Sequence, residues 1–295
     1  MDENHGLAAV SVVIPVLNCR DLLDVQLEAL SKQTYAGGFE VIISDNGSTD
    51  GLEGHLQDHP LRDELKIMYV DSSDRRGAAH ARNVGVDNAT GEFIAFCDAD
   101  DRVHKGWLTA LVQFAADYDV VGGAVETVSL NTPEVQSWSP MPAPEEQGQG
   151  FLPHAAGANM GCWAKVYSEL HGMNEDFANA QDVEFLWRAQ LSGYRFGFLK
   201  TALVAYRLRE NKDALRRRDK ALGYSFAQLA GAFREAGHPP IRFFPLVKEI
   251  LLLALVNPVL TEKVTKVPEV VRSRYLAFNI GALRGGIKFQ SLKFV

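Results

Sequence analysis

Short β-branched runs alternate with helical stretches through the first half of this 295-residue chain, and that alternation leaves few folds open. Residues 10–16, 39–45, 65–71, 92–97 and 119–125 read as strands. Between them, residues 21–32, 51–58, 77–89 and 105–116 read as helices, the second capped by Ser48, Thr49 or Asp50. The pattern implies an α/β fold of parallel strands joined by right-handed crossovers. Open sheets of this kind bind ligands at the carboxyl ends of their strands, where Asp45, Asp98 and Asp100 fall.

The second half is less regular. Residues 131–150 are rich in Pro, Glu, Gln and Gly and read as a long, mobile loop or hairpin. Residues 164–170 and 181–191 look helical, 202–206 look like a strand, and 207–220 form a polar, highly charged stretch. Past Pro239-Pro240 the chain becomes amphipathic and apolar helix, most hydrophobic at residues 250–256. That run is far shorter than the roughly 20 residues a bilayer span needs, which leaves a helix packed on the core or one lying in a membrane interface. From Thr261 onward seven Lys/Arg face two acids, a bias that favours anionic lipid. The organisation expected is a main domain over residues 1–240, with a nucleotide-binding half at about 8–125 and an acceptor half at about 151–210, then a basic helical extension over 241–295.

Composition excludes some classes. A net charge of −7 argues against a nucleic-acid binder, whose affinity comes from neutralising phosphates with Lys and Arg. Three widely spaced cysteines without a CxxC pair suggest reduced thiols rather than disulfides or zinc. The polar, acidic opening residues lack the features of a secretory leader, so a cytoplasmic location is expected.

Chemistry concentrates in four places. Asp98-Ala99-Asp100 follows an apolar strand, and alternate residues on extended backbone point the same way, so both carboxylates can face one site as hard oxygen donors. A turn with helix-capping aspartates is the competing reading. Asp45 ends the second strand as an acceptor suited to a pyrimidine N–H, or serves an Asx turn. Arg82 supplies donors for a base carbonyl, or is a solvated helix charge. The small-residue segment Gly157-Ala-Asn159-Met-Gly161 would let backbone approach a sugar, with Asn159 as donor and acceptor. Among the tryptophans, Trp138 and Trp163 are the candidates for stacking on a sugar, whereas Trp107 and Trp187 fit a core pattern.

In order, Val10-Ser-Val-Val-Ile-Pro15-Val-Leu-Asn18, Asp45-Asn-Gly-Ser-Thr-Asp50, Gly77-Ala-Ala-His-Ala-Arg82-Asn-Val-Gly85 and Asp98-Ala-Asp100 resemble successive motifs of glycosyltransferase family 2. The resemblance implies a GT-A fold, a Rossmann-like open and mostly parallel sheet flanked by helices, here with a helical C-terminal extension. It implies an inverting transferase that uses a nucleotide diphosphate sugar, UDP-sugar favoured, and a glycan or lipid-linked acceptor. Pro15, Asn18, Asp45, Arg82 and Asp98 would then bind the nucleotide, and Asp100 a Mn²⁺ or Mg²⁺ ion. Asp182 would be the general base, with Asn159, Trp163 and Gln181 on the acceptor side. As the first residue but one of a helix, Asp182 also suits a capping role, and the two are compatible.

The sequence departs from the family pattern at Gln181, where an acid is common, and at Tyr206, where many relatives carry a metal-binding histidine. No QxxRW motif follows, so likeness to polymer-extruding members is poor. Arg207, Arg209 and Arg216-Arg217-Arg218 could neutralise a diphosphate or line a solvated helix face. Two alternatives stay open: a sugar-phosphate nucleotidyltransferase, against which the absence of a Gly-rich phosphate loop after the first strand counts, and a non-catalytic nucleotide-sugar or glycan-binding module.

Overall fold

The computed structural model describes residues 7–259 and 267–294, with side chains described as far as residue 255 in the first of these spans. The chain forms two compact units. The first comprises the described parts of Met1–Leu130, Pro142–Asp176 and Gln181–Arg207; the second comprises Asn131–Met141, Phe177–Ala180 and the described residues from Leu208 on.

An eight-stranded sheet organises the first unit. Strands β1 (Val10–Val16), β2 (Phe39–Asp45), β3 (Ile67–Asp71), β4 (Phe93–Phe96), β5 (Arg102–Val103), β6 (Val120–Glu126), β7 (Met160–Trp163) and β8 (Phe196–Ala205) run in the order β3-β2-β1-β4-β7-β6-β8-β5. The first four are mutually parallel, and β7 runs antiparallel to both β4 and β6. Helices α1 (Arg20–Ser31), α2 (Leu52–Gln57), α3 (Ala78–Asp87), α4 (Trp107–Phe114), α6 (Ala164–Glu169) and α7 (Gln181–Leu191) flank it.

Strand β1 shows why both faces are covered. Val12, Ile14 and Val16 join one apolar cluster with Leu23, Leu27 and Leu30 of α1, while Val13 joins another with Phe96, Tyr167 and Phe185. With side chains alternating across the sheet, a run such as VSVVIPV buries both sets only if helices lie on each side. The α1 leucines recur at a spacing that makes one stripe of a helix.

Register puts the strand tips in line. Val16 sits beside Asp45 and Asp45 beside Asp71, and β4 next to β1 delivers Asp98 just past its end. The sheet that the sequence implied is therefore present, with corrections in its second half. Strand β7 was not anticipated, and β8 begins at Phe196 rather than at residue 202.

Asn159 is the first site candidate to be corrected. It is fully buried; its amide donates to Ala124 O (2.7 Å) and Ala202 O (2.8 Å), and its Oδ1 accepts from Trp107 Nε1 (2.8 Å). The β6–β8 register shifts between Gly123 and Ala124, and the asparagine amide satisfies a carbonyl of each strand there. A Cβ on Gly123 would stand 2.2 Å from Ala202 O, so the plug depends on that glycine. Asn159 has no polar group left for a sugar.

Trp163 is corrected too. It pairs in register with Phe93, at the start of β4, whereas the aspartates follow the other end of that strand. Its ring meets Phe93 edge-on, and Nε1 points at Ala115 O and Tyr118 O, both 3.2 Å away. It packs at the end of the sheet opposite the candidate site.

In the second unit, the first part of the segment expected to be a loop or hairpin contains α5 (Pro133–Trp138), started by Thr132, whose hydroxyl accepts from Val135 N, and by Pro133. Trp138 lies at the end of that helix with the Lys212 ammonium 4.7 Å from its ring centre, so it does not sit on a free loop. The charged stretch after residue 207 opens α8 (Lys212–Ala232), on which Arg216 and Arg217 are exposed. Helices α9 (Phe243–Val259) and α10 (Glu269–Lys288) follow, and α8 packs along α10 with Asp219 paired to Arg274. The boundary expected at residue 240 thus falls inside this unit. Strands β9 (Ile241–Arg242) and β10 (Leu292–Lys293) pair in parallel, with Arg242 beside Lys293. Phe243 contacts Phe244 and Phe294, and the latter two are 60% and 68% exposed. Leu251, Leu252 and Leu255 of α9 are exposed as well. Among the described residues no helix is long and apolar enough to cross a membrane.

Candidate functional site

The loops after β1 and β2 are stapled together. Asn18, in left-handed backbone (φ 51°), accepts from Thr49 N at 2.8 Å, and its own N–H donates to Ser48 Oγ at 2.9 Å. Pro15, half-buried, lies beside Ser44 in register. Asp45 is buried at the tip of β2, where Oδ1 accepts from Ser48 N (2.8 Å) and Oδ2 from the Tyr69 hydroxyl (2.9 Å). Asp45 thus fixes the turn that follows β2 through the N–H three residues on, with lone pairs of the carboxylate left over.

Arg82 comes from α3 and is only 3% exposed. Its Nη2 donates to Asp98 Oδ1 at 2.6 Å, and its Nε and Nη1 are buried without a partner. A solvated helix charge is therefore ruled out. Buried guanidinium donors left unpaired are costly, and an oxygen of a buried water or of a ligand would satisfy them. The neighbouring Asn83 fastens α3 to the later half of the unit through Met173 N, Met173 O and Glu175 Oε1, each at 2.9 Å.

Three aspartates after β4 take different surroundings. Asp98 and Asp100 are half-exposed, whereas Asp101 is fully buried. Asp101 Oδ1 accepts from Arg207 N at 2.7 Å, while burial, with Asp98 and Asp100 nearby, pushes its carboxyl well above the usual range. The loop is held from two sides. Gln26, buried in the α1 stripe, donates to Asp98 O (3.1 Å) and accepts from Val103 N (2.9 Å); Arg207 Nε donates to Asp100 O (2.9 Å). The Arg207 side chain expected near a diphosphate instead grips the backbone of the aspartate run.

Asp182 sits in the first turn of α7, half-buried. Oδ2 accepts from Gly157 N at 2.6 Å and Oδ1 from Val183 N at 2.9 Å, so it satisfies one free N–H of the helix's first turn and is aimed by the Gly157 segment. Gly157 also connects the two halves of the site. A Cβ there would lie 3.2 Å from Arg82 Nη2 and 3.3 Å from Asp182 Cβ. Asp98, Arg82, Gly157 and Asp182 are therefore successive neighbours. Gln181, next to Asp182, is buried with its Oε1 unpartnered.

Sequence reasoning missed Gln26, Asp101 and the linking role of Gly157. A signal existed for Gln26, a polar residue inside the leucine stripe of α1; none existed for Gly157, whose neighbours are 75 residues before it and 25 after it.

The family model described as "Glycosyl transferase family 2" matches residues 11–169, more than half of the chain. Glycosyltransferase AglE of Haloferax volcanii is 38% identical over 124 residues, which cover 41% of this chain and 40% of that protein. Matches to three such relatives span between 38% and 42% of the relatives' length. In structure, the chain resembles mannosyltransferase PcManGT of Pyrobaculum calidifontis, solved with GDP-Man and Mn²⁺ (TM-score 0.66, 20% identity, 96% of this chain and 87% of that one). It also resembles S. aureus TarS 1-349 solved with UDP-GlcNAc (TM-score 0.56, 19% identity, 97% and 93%). With the motifs, their order, the sheet and these matches in agreement, the chain belongs to glycosyl transferase family 2 and has the GT-A fold.

Proposed function

We propose that the chain is an inverting glycosyltransferase that moves a sugar from a nucleoside diphosphate sugar to an acceptor hydroxyl. The observation that carries this reading is the succession Asp98, Arg82, Gly157, Asp182, which brings a buried cation with unpaired donors next to a positioned carboxylate.

Asp182 takes the proton of the acceptor hydroxyl as its oxygen attacks C1 from the face opposite the leaving diphosphate. The hydrogen bond from Gly157 N holds Oδ2 in place for that transfer. Gly157, lacking a side chain, keeps the gap between Arg82 and Asp182 open. Gln181, buried beside Asp182, backs the acceptor side of the site. Arg82, held by Asp98, sets the positive charge of its buried guanidinium on the nucleotide side of the site. Pro15, Asn18 and Asp45 surround the nucleoside, and Asp45 accepts from a pyrimidine N–H, which favours a uridine donor.

The carboxylates after β4 are hard oxygen donors of the kind Mn²⁺ and Mg²⁺ take, and they reach the surface of the loop. The family resemblance assigns Asp100 the metal and Asp98, which gives an oxygen to Arg82, the ribose or the outer shell. When bound, the ion supplies Lewis-acid neutralisation of the departing diphosphate. The Mn²⁺ and nucleotide sugars named for PcManGT and TarS support this class of ligands.

The acceptor is a glycan or a lipid-linked glycan, and the protein works at the cytoplasmic face of a membrane. Support comes from the second unit, where exposed Phe244, Phe294 and Ile287 stand among exposed Arg242, Lys288 and Lys293. Aromatic and aliphatic side chains among cations suit the interface of an anionic bilayer.

Proton NMR of UDP- and GDP-α-sugars with Mn²⁺ and water as acceptor tests the reaction. The free sugar should appear first as the β anomer. The α anomer first, or release of sugar phosphate with nucleoside monophosphate, would overturn it, and donor binding without turnover on any acceptor would favour a binding module.

A further inference from the structure

Helices α1 and α2 carry a second group of metal-type donors on the side of α1 away from the aspartate loop. Gln26 of α1 reaches Asp98 O, and Asp24, two residues earlier on the helix, projects from the opposite side. There the Asp24 carboxylate meets two imidazoles. Its Oδ1 is 2.7 Å from His55 Nε2 and 3.4 Å from His59 Nε2, and one donor atom from each of the three residues lies within 4.8 Å of the others. They border a cleft of about 590 Å³ whose rim also carries the carboxylates of Glu28 and Asp58.

We propose that Asp24, His55 and His59 form a zinc site, distinct from the Asp98–Asp100 site. Two borderline imidazole nitrogens with one hard carboxylate oxygen make a set that suits Zn²⁺ better than the Mg²⁺ or Mn²⁺ expected at an all-oxygen site. Spacing supports it, since His55 and His59 lie four residues apart, with His55 in α2 and His59 just past its end. His59 is held rigidly, its side chain 5% exposed, whereas Asp24 and His55 open onto the cleft, which admits an ion and a fourth ligand such as water or Glu28.

Leu61 N–H donates to His59 Nδ1 at 3.2 Å, so Nε2 is the ring nitrogen turned toward Asp24. The metal then ties α2 to the helix whose Gln26 supports the aspartate loop.

Isothermal titration of Zn²⁺ into chelator-treated full-length protein tests this, run in an Asp100→Ala background so that the aspartate loop does not contribute. One zinc per chain should bind, and His55→Gln and Asp24→Asn, both at partly exposed positions, should each weaken it at least tenfold. His59→Gln should do the same, with circular dichroism reporting whether that buried variant folds. Co²⁺ in place of zinc should give the intense visible bands of a tetrahedral nitrogen–oxygen site, lost in His55→Gln. Absence of zinc binding in Asp100→Ala, or binding unchanged by His55→Gln and Asp24→Asn, would overturn the proposal and leave a hydrogen-bonded cluster only. These readouts need no sugar transfer, so they stand or fall apart from the transferase reading.

Discussion

Replacing Asn159 by alanine separates a core role from a sugar-binding role. The side chain makes three buried hydrogen bonds, to Ala124 O, Ala202 O and Trp107 Nε1. Truncation leaves those groups short of a partner beside the β6–β8 register shift, and water has no path to a residue that is 0% exposed. Each lost bond costs about 1–1.5 kcal/mol and the small cavity adds to that, so the expected loss is about 3–5 kcal/mol. For a folding unit of this size the melting temperature should fall by roughly 10 °C. Urea and thermal unfolding followed by tryptophan fluorescence report it directly, because Trp107 is one of the orphaned groups. If Asn159→Ala unfolds like the parent yet loses acceptor affinity, the core assignment is wrong and the residue faces substrate.

Three more outcomes are expected. Asp100→Ala should abolish the Mn²⁺-dependent part of donor binding in calorimetry while Asp182→Asn keeps it; unaltered metal dependence would move the ion elsewhere. His80 is pulled two ways: burial disfavours its charge, but the Asp74 and Glu175 carboxylates outweigh burial and raise its pKa above the ordinary 6.5. The stability this contributes is complete below the unfolded-state pKa and lost as pH rises through the folded-state one, so His80→Leu should cost most at mildly acidic pH and least in alkali, with a flat profile counting against the ion pairs. Phe244→Ser with Phe294→Ser should reduce co-sedimentation with phosphatidylglycerol vesicles, and equal binding by parent and double variant would remove that corner from the membrane reading.

Much of the first half was legible because its signals are local. Short β-branched runs gave β1 and β2 to the residue, and the strand pattern put Asp45, Asp98 and Asp100 at strand ends. Residues of the later half depend on pairing that no local window contains. β7 is a four-residue MGCW strand without a β-branched residue, so neither its existence nor the placement of Trp163 at the far end could be read. Asn159 looked like a ligand residue because an asparagine among small residues suits both a sugar and a sheet irregularity. The Gly122-Gly123 pair in β6 hinted at the second. Helix α5 was hidden by a loop-like composition, although Thr132-Pro133 is a helix start that a closer reading would have found.

In the proposed reaction Asp182 acts on the acceptor while the Asp98–Arg82 pair and Asp100 act on the donor. Measuring Asp182→Asn for both donor affinity by calorimetry and transfer rate separates the two ends. The dissociation constant should stay within about twofold of the parent while the turnover number falls by about 10²–10⁴. Parent-like turnover, or a loss of donor binding that matches the loss of rate, would contradict it.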